Sequence, residues 1–296
     1  MTRTKATATG FTAILMWSLL ALFTIGSAPV PPLQLNAICF AIGGLIGLIW
    51  TLRGAGPGTL RRVPWKVYAF GTLGLFGYHF LYFTAFRLAP TAETGLIAYL
   101  WPLLIVLISG LLPGEKLGPL HILGALTAFA GAALIVLGSG AETTGFTVNT
   151  GILLAFLCAI TWAAYSVISR TLGAIPTESV TVFCLAASLL SLIAHLALET
   201  TAWPETVTGW AAIAALGLGP VGLAFFTWDI GMKQGDIQLL GVASYAAPLL
   251  STLALVAAGV TQPSMLLAVA AVLIVAGAAL AAKASAKRPV TPGSGG

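Results

Sequence analysis

Long apolar segments fill most of this chain and limit what it can fold into. A helix that spans a bilayer needs about 20 mostly apolar residues, because each residue adds about 1.5 Å toward a hydrocarbon thickness of about 30 Å. Ten such segments can be read, and proline and glycine stand between several of them, where helices end. They lie at about residues 9–27, 33–52, 67–88, 92–112, 117–138, 148–172, 177–198, 210–233, 237–258 and 265–283. The sequence therefore predicts an all-α integral membrane protein with ten transmembrane helices.

Charged residues are too few to cover a surface that faces water. They make up 7% of the 296 residues, whereas an average soluble domain has about 25%. This composition argues against a soluble enzyme, a nucleic-acid-binding protein and a disordered chain. Cys39, Cys158 and Cys184 lie inside apolar segments without metal-ligand spacing, so we expect them to be buried packing residues.

The basic residues collect on one side of the predicted membrane. An even number of spans places both termini on the same side, and all of the 13 Lys and Arg residues except Arg87 fall there. Cytoplasmic loops are enriched in Lys and Arg, so we expect cytoplasmic termini and a multi-pass membrane protein. The net charge of +5 then reflects topology and not an anionic partner. The predicted outer loops hold Glu93, Glu142, Glu199 and Glu205.

The two halves of the chain are similar at a shift of 146 residues. Tyr99 then aligns with Tyr245 and Pro102 with Pro248, and the run Gly-Ala-Ala-Leu recurs. Five spans per half is an odd number, so the halves would insert in opposite orientations. Inverted repeats that meet around a site at mid-membrane are typical of secondary transporters. The alternative is chance similarity between apolar sequences.

This similarity gives the domain assignment. We assign residues 1–140 to the first five-helix repeat, 141–288 to the second, inverted repeat, and 289–296 to a polar tail with the composition of an engineered linker.

Aromatic residues near the helix centres indicate a binding cavity. Tryptophan usually lies at the water interface of a membrane, but three tryptophans fall near mid-depth. An intramembrane histidine is a candidate functional residue, and His79 could hydrogen-bond a substrate or carry a coupling proton. The alternative is that the rings fill core voids and His79 is neutral and bonded to a neighbouring hydroxyl. The candidate substrate contacts are Trp17, Tyr78, His79, Tyr82, Tyr99, Trp101, Trp162, Tyr165, Ser244 and Tyr245.

Other residues receive structural predictions. Pro102 and Pro248 should interrupt their helices at matching depths and could serve in gating. We expect an interfacial Asp229–Lys233 pair, and we expect His121 and His195 at the membrane surface. The fifth and tenth spans carry small residues that let helices approach closely, so we interpret them as scaffold.

The predicted mid-depth region contains no Lys or Arg, which disfavours a dianionic substrate. It suits a neutral or zwitterionic molecule with a flat apolar part. No catalytic residue, metal ligand set or cofactor motif is recognised, and we expect no cofactor. The expected partners are a small-molecule substrate and the lipid bilayer, with no nucleic acid and no required protein partner.

The chain resembles the drug/metabolite transporter superfamily of the EamA type. Pro102 with Gly114-Glu115 and Gly131 is similar to the repeat of that family, although in the second half Gly259 is followed by Val260 and not by Glu. Further segments resemble aromatic amino-acid exporters within the superfamily: Trp17-Ser18, Tyr99 to Pro102, Trp162 to Tyr165 and Ser244 to Ser251. The resemblance implies export of aromatic amino acids, and other amphipathic compounds, across a bacterial inner membrane. Such a transporter would work by alternating access through a midplane cavity.

Rival functions remain open at this point. A broad-specificity drug or metabolite exporter would use the same architecture. An intramembrane enzyme would need a nucleophile–base pair or a metal cluster within the spans, and a channel would need a filter or a charged ring. The chain has no phosphate-binding loop of the Gly-x-x-x-x-Gly-Lys-Ser/Thr type, so we do not expect it to pump with ATP.

Overall fold

The computed structural model describes residues 1–138, 149–260 and 262–286, and all regular structure within these ranges is helical. The helices are α1 Arg3–Trp17, α2 Leu20–Gly26, α3 Pro32–Arg53, α4 Gly58–Arg61, α5 Trp65–Leu88, α6 Thr91–Ala98, α7 Trp101–Ser109, α8 Pro119–Leu137, α9 Thr150–Thr171, α10 Ser179–Leu198, α11 Val207–Leu218, α12 Ala224–Gln234, α13 Ile237–Ala243, α14 Ala246–Ala257 and α15 Met265–Ala286. A π-helical turn, Gly219–Leu223, joins α11 to α12. The predicted outer residue Glu142, the repeat boundary at 140/141 and the tail 289–296 lie outside the described residues.

Within the described residues, nine helical segments are long and apolar enough to cross a membrane. Helix α5 has 24 residues and is long enough, but it is not among the nine. It carries Lys66, His79 and Arg87 as well as three tyrosines, and these residues lower its hydropathy. The prediction of an all-α protein with many membrane-spanning helices is confirmed, and the count of ten stays a prediction.

Several spanning segments are interrupted near their centres. Residues 99–100 separate α6 from α7, and residues 244–245 separate α13 from α14. In each case a proline, Pro102 or Pro248, follows within the first turn of the second helix, where it cannot donate to the carbonyl four residues earlier. The first segment is also broken, at residues 18–19, although no proline lies there.

Helices α8 and α15 pack closely at glycines. A Cβ atom added at Gly124 would lie 2.6 Å from the carbonyl oxygen of Gly277. A side chain at Gly131 would likewise meet the carbonyl oxygen of Ala270 at 2.8 Å. Small residues therefore set the distance between these two helices, which are the fifth and tenth predicted spans.

Three groups predicted at the membrane surface or in an outer loop are buried within the protein, and their depth in the membrane stays a prediction. His121 and His195 are each 2% exposed. His195 Nδ1 lies 3.0 Å from Glu199 and its Nε2 lies 2.9 Å from Thr201 Oγ1, so polar partners inside the protein replace water. Glu93, expected in an outer loop, is buried in α6.

The predicted Asp229–Lys233 ion pair is also buried. Its Nζ–Oδ2 distance is 2.8 Å. Asp229 also accepts a hydrogen bond from Thr177 Oγ1, and Lys233 donates one to the carbonyl of Ile175. These bonds satisfy both charges without water, so the pair is buried within the protein, and its place at the membrane interface stays a prediction.

Candidate functional site

A cavity of about 470 Å³ lies among the interrupted helices. Its wall includes both sides of the α1–α2 break, the first half of α3, the middle of α5, the α6–α7 break, α9, the π-helical turn and the middle of α14. Helices α8 and α15 contribute no wall residue. Seven of the sequence-predicted site residues line this cavity: Trp17, Tyr78, His79, Tyr82, Tyr99, Trp101 and Trp162.

The cavity occupies the end of the helix bundle where α2 finishes and α3 begins. From the first segment the wall takes Trp17 and residues that follow it, up to Ile25. From α3 it takes only residues in the first half, from Pro32 to Cys39. The opposite end of the bundle, where α1 begins, is filled by packed rings and by ion pairs.

Trp17, Trp101 and Trp162 line the cavity, and the fully buried Trp228 packs behind them. The ring centroids of Trp17 lie 5.0 Å from Trp228, 5.7 Å from Trp162 and 6.2 Å from Trp101. The indole N–H of Trp17 donates to the carbonyl of Pro220 at 3.0 Å, and that of Trp228 donates to Ser166 Oγ at 3.0 Å. The polar edges of these two rings are therefore satisfied within the protein.

Helix α5 supplies one side of the wall with two tyrosines and His79. The rings of Tyr78 and Tyr82 are 6.0 Å apart, and Tyr78 lies 5.1 Å from Trp162. His79 is 9% exposed, and its Nδ1 lies 2.8 Å from the carbonyl oxygen of Leu75. Phe40 of α3 contacts the imidazole edge-on with centroids 5.1 Å apart.

The other predicted contacts lie behind the wall. Tyr165 stacks on Trp162 with centroids 5.2 Å apart and is 2% exposed. Ser244 donates to the carbonyl of Leu240 at 2.7 Å. The hydroxyl of Tyr245 accepts a hydrogen bond from the backbone N–H of Leu103 at 3.1 Å, at the start of α7. None of these three residues lines the cavity, and Ser244 and Tyr245 lie at the α13–α14 break.

Sequence reasoning missed the contribution of α3. Asn36 and Cys39 line the cavity, as do Ser251 of α14 and Phe225 of α12. Asn36 is 4% exposed, and its amide nitrogen has no hydrogen-bond partner among the described residues. The sequence does contain a signal for this contribution, because Gln34 and Asn36 interrupt an apolar segment. Burying an amide in such a segment costs free energy unless the amide finds a partner.

The end of the bundle opposite the cavity is closed by an ion-pair network. Arg170 at the end of α9 pairs with Glu115, and Arg3 lies 3.6 Å from Glu115 and 3.2 Å from Asp236. Arg170 also donates to the carbonyl of Gly235 at 2.7 Å. The network joins α1, the segment before α8, α9 and the turn between α12 and α13.

The cavity wall contains no Lys, Arg, Asp or Glu among the residues that the structure describes. In the same part of the chain, no group of three or more His, Cys, Asp and Glu is arranged to hold a metal ion. The wall combines flat aromatic faces with amide, hydroxyl and imidazole groups. It can surround an apolar ring and hydrogen-bond a polar head group.

Comparison with known proteins identifies the family. The EamA-like transporter family matches residues 4–137 and again residues 149–283. The aromatic amino acid exporter YddG of Ancylobacter novellus is 55% identical over 284 residues, which cover 95% of this chain and 98% of that protein. The exporter of the same name from Escherichia coli K12 is 29% identical over 265 residues, or 85% and 88% of the two chains. A crystal structure covering 97% of this chain and 100% of its own superposes with a TM-score of 0.90 at 51% identity. Both matched stretches and the predicted resemblance therefore lead to one conclusion: the chain belongs to the EamA-like transporter family.

Proposed function

We propose that this protein exports aromatic amino acids across a bacterial inner membrane. The observation that carries the proposal is the cavity walled by tyrosine and tryptophan rings, with polar groups but no Lys, Arg, Asp or Glu among its described residues. The relatives named as aromatic amino acid exporters support it. The cavity volume of about 470 Å³ is in the range of clefts that enclose one small molecule.

The wall chemistry favours an aromatic zwitterion over other substrates. Each well-placed aromatic pair contributes about 1 kcal/mol beyond the burial of its area. A dianion would lack a fixed cation in the wall and would lose its hydration without compensation. A zwitterion carries both charges on one carbon, so neutral donors and acceptors can hold it.

We propose alternating access between two inverted five-helix repeats, with α5 as the tenth span. The family match occurs twice along the chain, and both α6–α7 and α13–α14 are interrupted before a proline. These observations support the duplication. With cytoplasmic termini, the cavity would face the outside, and the Arg3–Glu115–Arg170–Asp236 network would close the cytoplasmic side.

Flux measurements in proteoliposomes test the proposed function. Purified protein should transport labelled tryptophan, and phenylalanine and tyrosine should compete, whereas alanine should compete much less. Lipophilic cations test the rival function of a broad drug exporter, for which they would compete as well as aromatic amino acids. A pH gradient imposed in parallel reveals whether protons drive the flux. Absence of tryptophan flux from protein that remains folded would refute the proposal.

Cysteine labelling tests the proposed orientation. In a variant without the three native cysteines, a cysteine at Gly58 should resist a membrane-impermeant thiol reagent in whole cells, and one at Glu205 should react. Both positions are exposed, and Gly58 has open space around its Cα. Thr144, in the predicted outer loop, lies outside the described residues. The opposite labelling pattern would reverse the topology.

A further inference from the structure

We propose that Asn36 and His79 recognise the two charged ends of the amino-acid head group, with the Asn36 amide donating to the carboxylate and His79 Nε2 accepting from the ammonium. This inference rests on the proposed function and adds to it the groups that distinguish an amino acid from other aromatic compounds.

The hydrogen bond of His79 to its own helix determines which ring nitrogen is available. Nδ1 lies 2.8 Å from the carbonyl oxygen of Leu75. A carbonyl oxygen only accepts hydrogen bonds, so Nδ1 must carry a proton. In the neutral ring the other nitrogen, Nε2, then has a lone pair and no proton. His79 thus offers an acceptor to the cavity, and an ammonium group, which only donates, is its natural partner.

Asn36 offers the complementary group. It lies on the cavity wall and is 4% exposed, and its Nδ2 has no partner among the described residues. An amide N–H without a partner in a buried site costs free energy that a ligand acceptor can recover. The torsion that orients an asparagine amide is broad, so the group can turn toward a bound carboxylate at little cost.

The two residues lie on facing parts of the wall. Phe40 follows Asn36 by one turn of α3, and its ring contacts His79 edge-on at 5.1 Å. One helical turn is about 5.4 Å, so Asn36 lies about one turn from the contact between α3 and α5. That arrangement matches a head group whose ammonium and carboxylate share one carbon atom.

Most other polar groups on the wall do not distinguish the two charges, although the indole N–H groups of Trp101 and Trp162, which only donate, also suit the carboxylate. The indole N–H of Trp17 is occupied by the carbonyl of Pro220. The hydroxyls of Tyr78, Tyr82 and Tyr99 can donate or accept, so they suit either end of the head group. Within the described wall, no Lys or Arg is available to the carboxylate, which leaves this role to a neutral donor such as the Asn36 amide.

Three ligands that share an indole ring test the assignment. Tryptophan carries both charges, tryptamine lacks the carboxylate, and indole-3-propionate lacks the ammonium. Their affinities are measured by calorimetry on the purified protein and on Asn36→Leu and His79→Leu. Hydrogen bonds to charged groups are strong enough that the loss of one should weaken binding by about 10-fold or more.

We expect Asn36→Leu to weaken binding of tryptophan and indole-3-propionate while tryptamine binds as to the parent. We expect His79→Leu to weaken tryptophan and tryptamine and to spare indole-3-propionate. The control is Leu45→Ala, which alters a residue of α3 that is 53% exposed on the outer surface of the helix bundle, and it should leave all three affinities unchanged.

Asn36→Asp provides a second test if the leucine variant does not fold. A carboxylate at this position should repel tryptophan and indole-3-propionate and should retain or tighten tryptamine. If either Asn36 variant lowers the affinities for all three ligands equally, or changes none of them, the head-group assignment is overturned. The proposed function would still stand, because the parent protein would still bind tryptophan. Failure of the parent protein to bind tryptophan would overturn the proposed function itself, and the head-group assignment with it.

Discussion

Replacement of Arg170 by glutamine should weaken the closed end of the helix bundle. The Arg170 side chain is 18% exposed and pairs with Glu115, whose side chain is 5% exposed. It also donates to the carbonyls of Met232 and Lys233 at 3.1 and 3.2 Å and to that of Gly235. Glutamine is shorter and uncharged, so it cannot maintain all of these contacts.

The magnitude follows from the burial of the pair. Removing one partner of a fully buried ion pair costs about 3–5 kcal/mol. Arg170 is partly solvated and Arg3 remains 3.6 Å from Glu115, so we expect a cost below that range, about 2 kcal/mol. In the proposed alternating-access mechanism, the substitution destabilises only the conformational state in which the network is formed. At about 1.4 kcal/mol per factor of ten, the population of the open state should rise by about 30-fold.

A buried cysteine can report this population. Ser169 is 4% exposed and precedes Arg170 in α9, so a cysteine there should react with a thiol reagent mainly when this end of the bundle opens. In a variant without native cysteines, Arg170→Gln should raise the labelling rate by about 30-fold. Arg61→Gln removes the same charge from an exposed residue that makes no ion pair with any described residue, and it should leave the rate unchanged. A rate within about twofold of the parent, in Arg170→Gln protein that remains folded, would refute the role of the network.

Three further perturbations address the cavity and the scaffold. Trp101→Ala removes ring contacts to Trp17 and Trp162 and should lower tryptophan flux in proteoliposomes by about 10-fold or more. If the variant instead yields less folded protein but each folded molecule transports at the normal rate, the ring only fills space. His79→Gln keeps a donor and an acceptor but cannot titrate near neutral pH. Flux measured from about pH 5.5 to about pH 8 should therefore be partly retained and should keep the pH dependence of the parent protein. Loss of that pH dependence would instead indicate proton coupling through His79. Gly124→Ala places a Cβ 2.6 Å from a backbone oxygen of α15 and should destabilise the protein by about 1–3 kcal/mol. This loss should lower the melting temperature in detergent. An unchanged melting temperature would show that α8 and α15 can move apart without cost.

The sequence predicts the helical segments well because hydrophobicity and length determine membrane spans. It predicts helix breaks only where a proline causes them, as near Pro102 and Pro248. The break after Trp17 has no local cause in the sequence. There, the indole N–H of Trp17 bonds to the carbonyl of Pro220, 203 residues away, and such a contact between distant segments cannot be read from either segment alone.

The candidate site was predictable in its chemistry but not in its full geometry. The sequence did identify six of the eight Trp, Tyr and Phe residues in the cavity wall. Ser244 and Tyr245 fall behind that wall because the direction of a side chain at a helix break depends on how the two halves are rotated. Tyr165 falls behind it because it stacks against the inner side of Trp162 in α9. Asn36 was not predicted because the sequence does not show which face of α3 meets the cavity, although its amide interrupts an apolar segment.

The unequal contributions of the two halves to the wall have a consequence for energetics. Tyr99 lines the cavity, whereas Tyr245, which aligns with it at the 146-residue shift, is buried behind the wall. At the same shift Trp101 aligns with the much smaller Ala247. A carrier that exchanges the conformations of such halves would bind its substrate with different affinities from the two sides of the membrane. Around a closed thermodynamic cycle, any difference in affinity is offset by the equilibrium between the two empty states. The asymmetry can therefore set half-saturation and speed on each side, but net accumulation outside the cell must come from a substrate gradient or from a coupled ion.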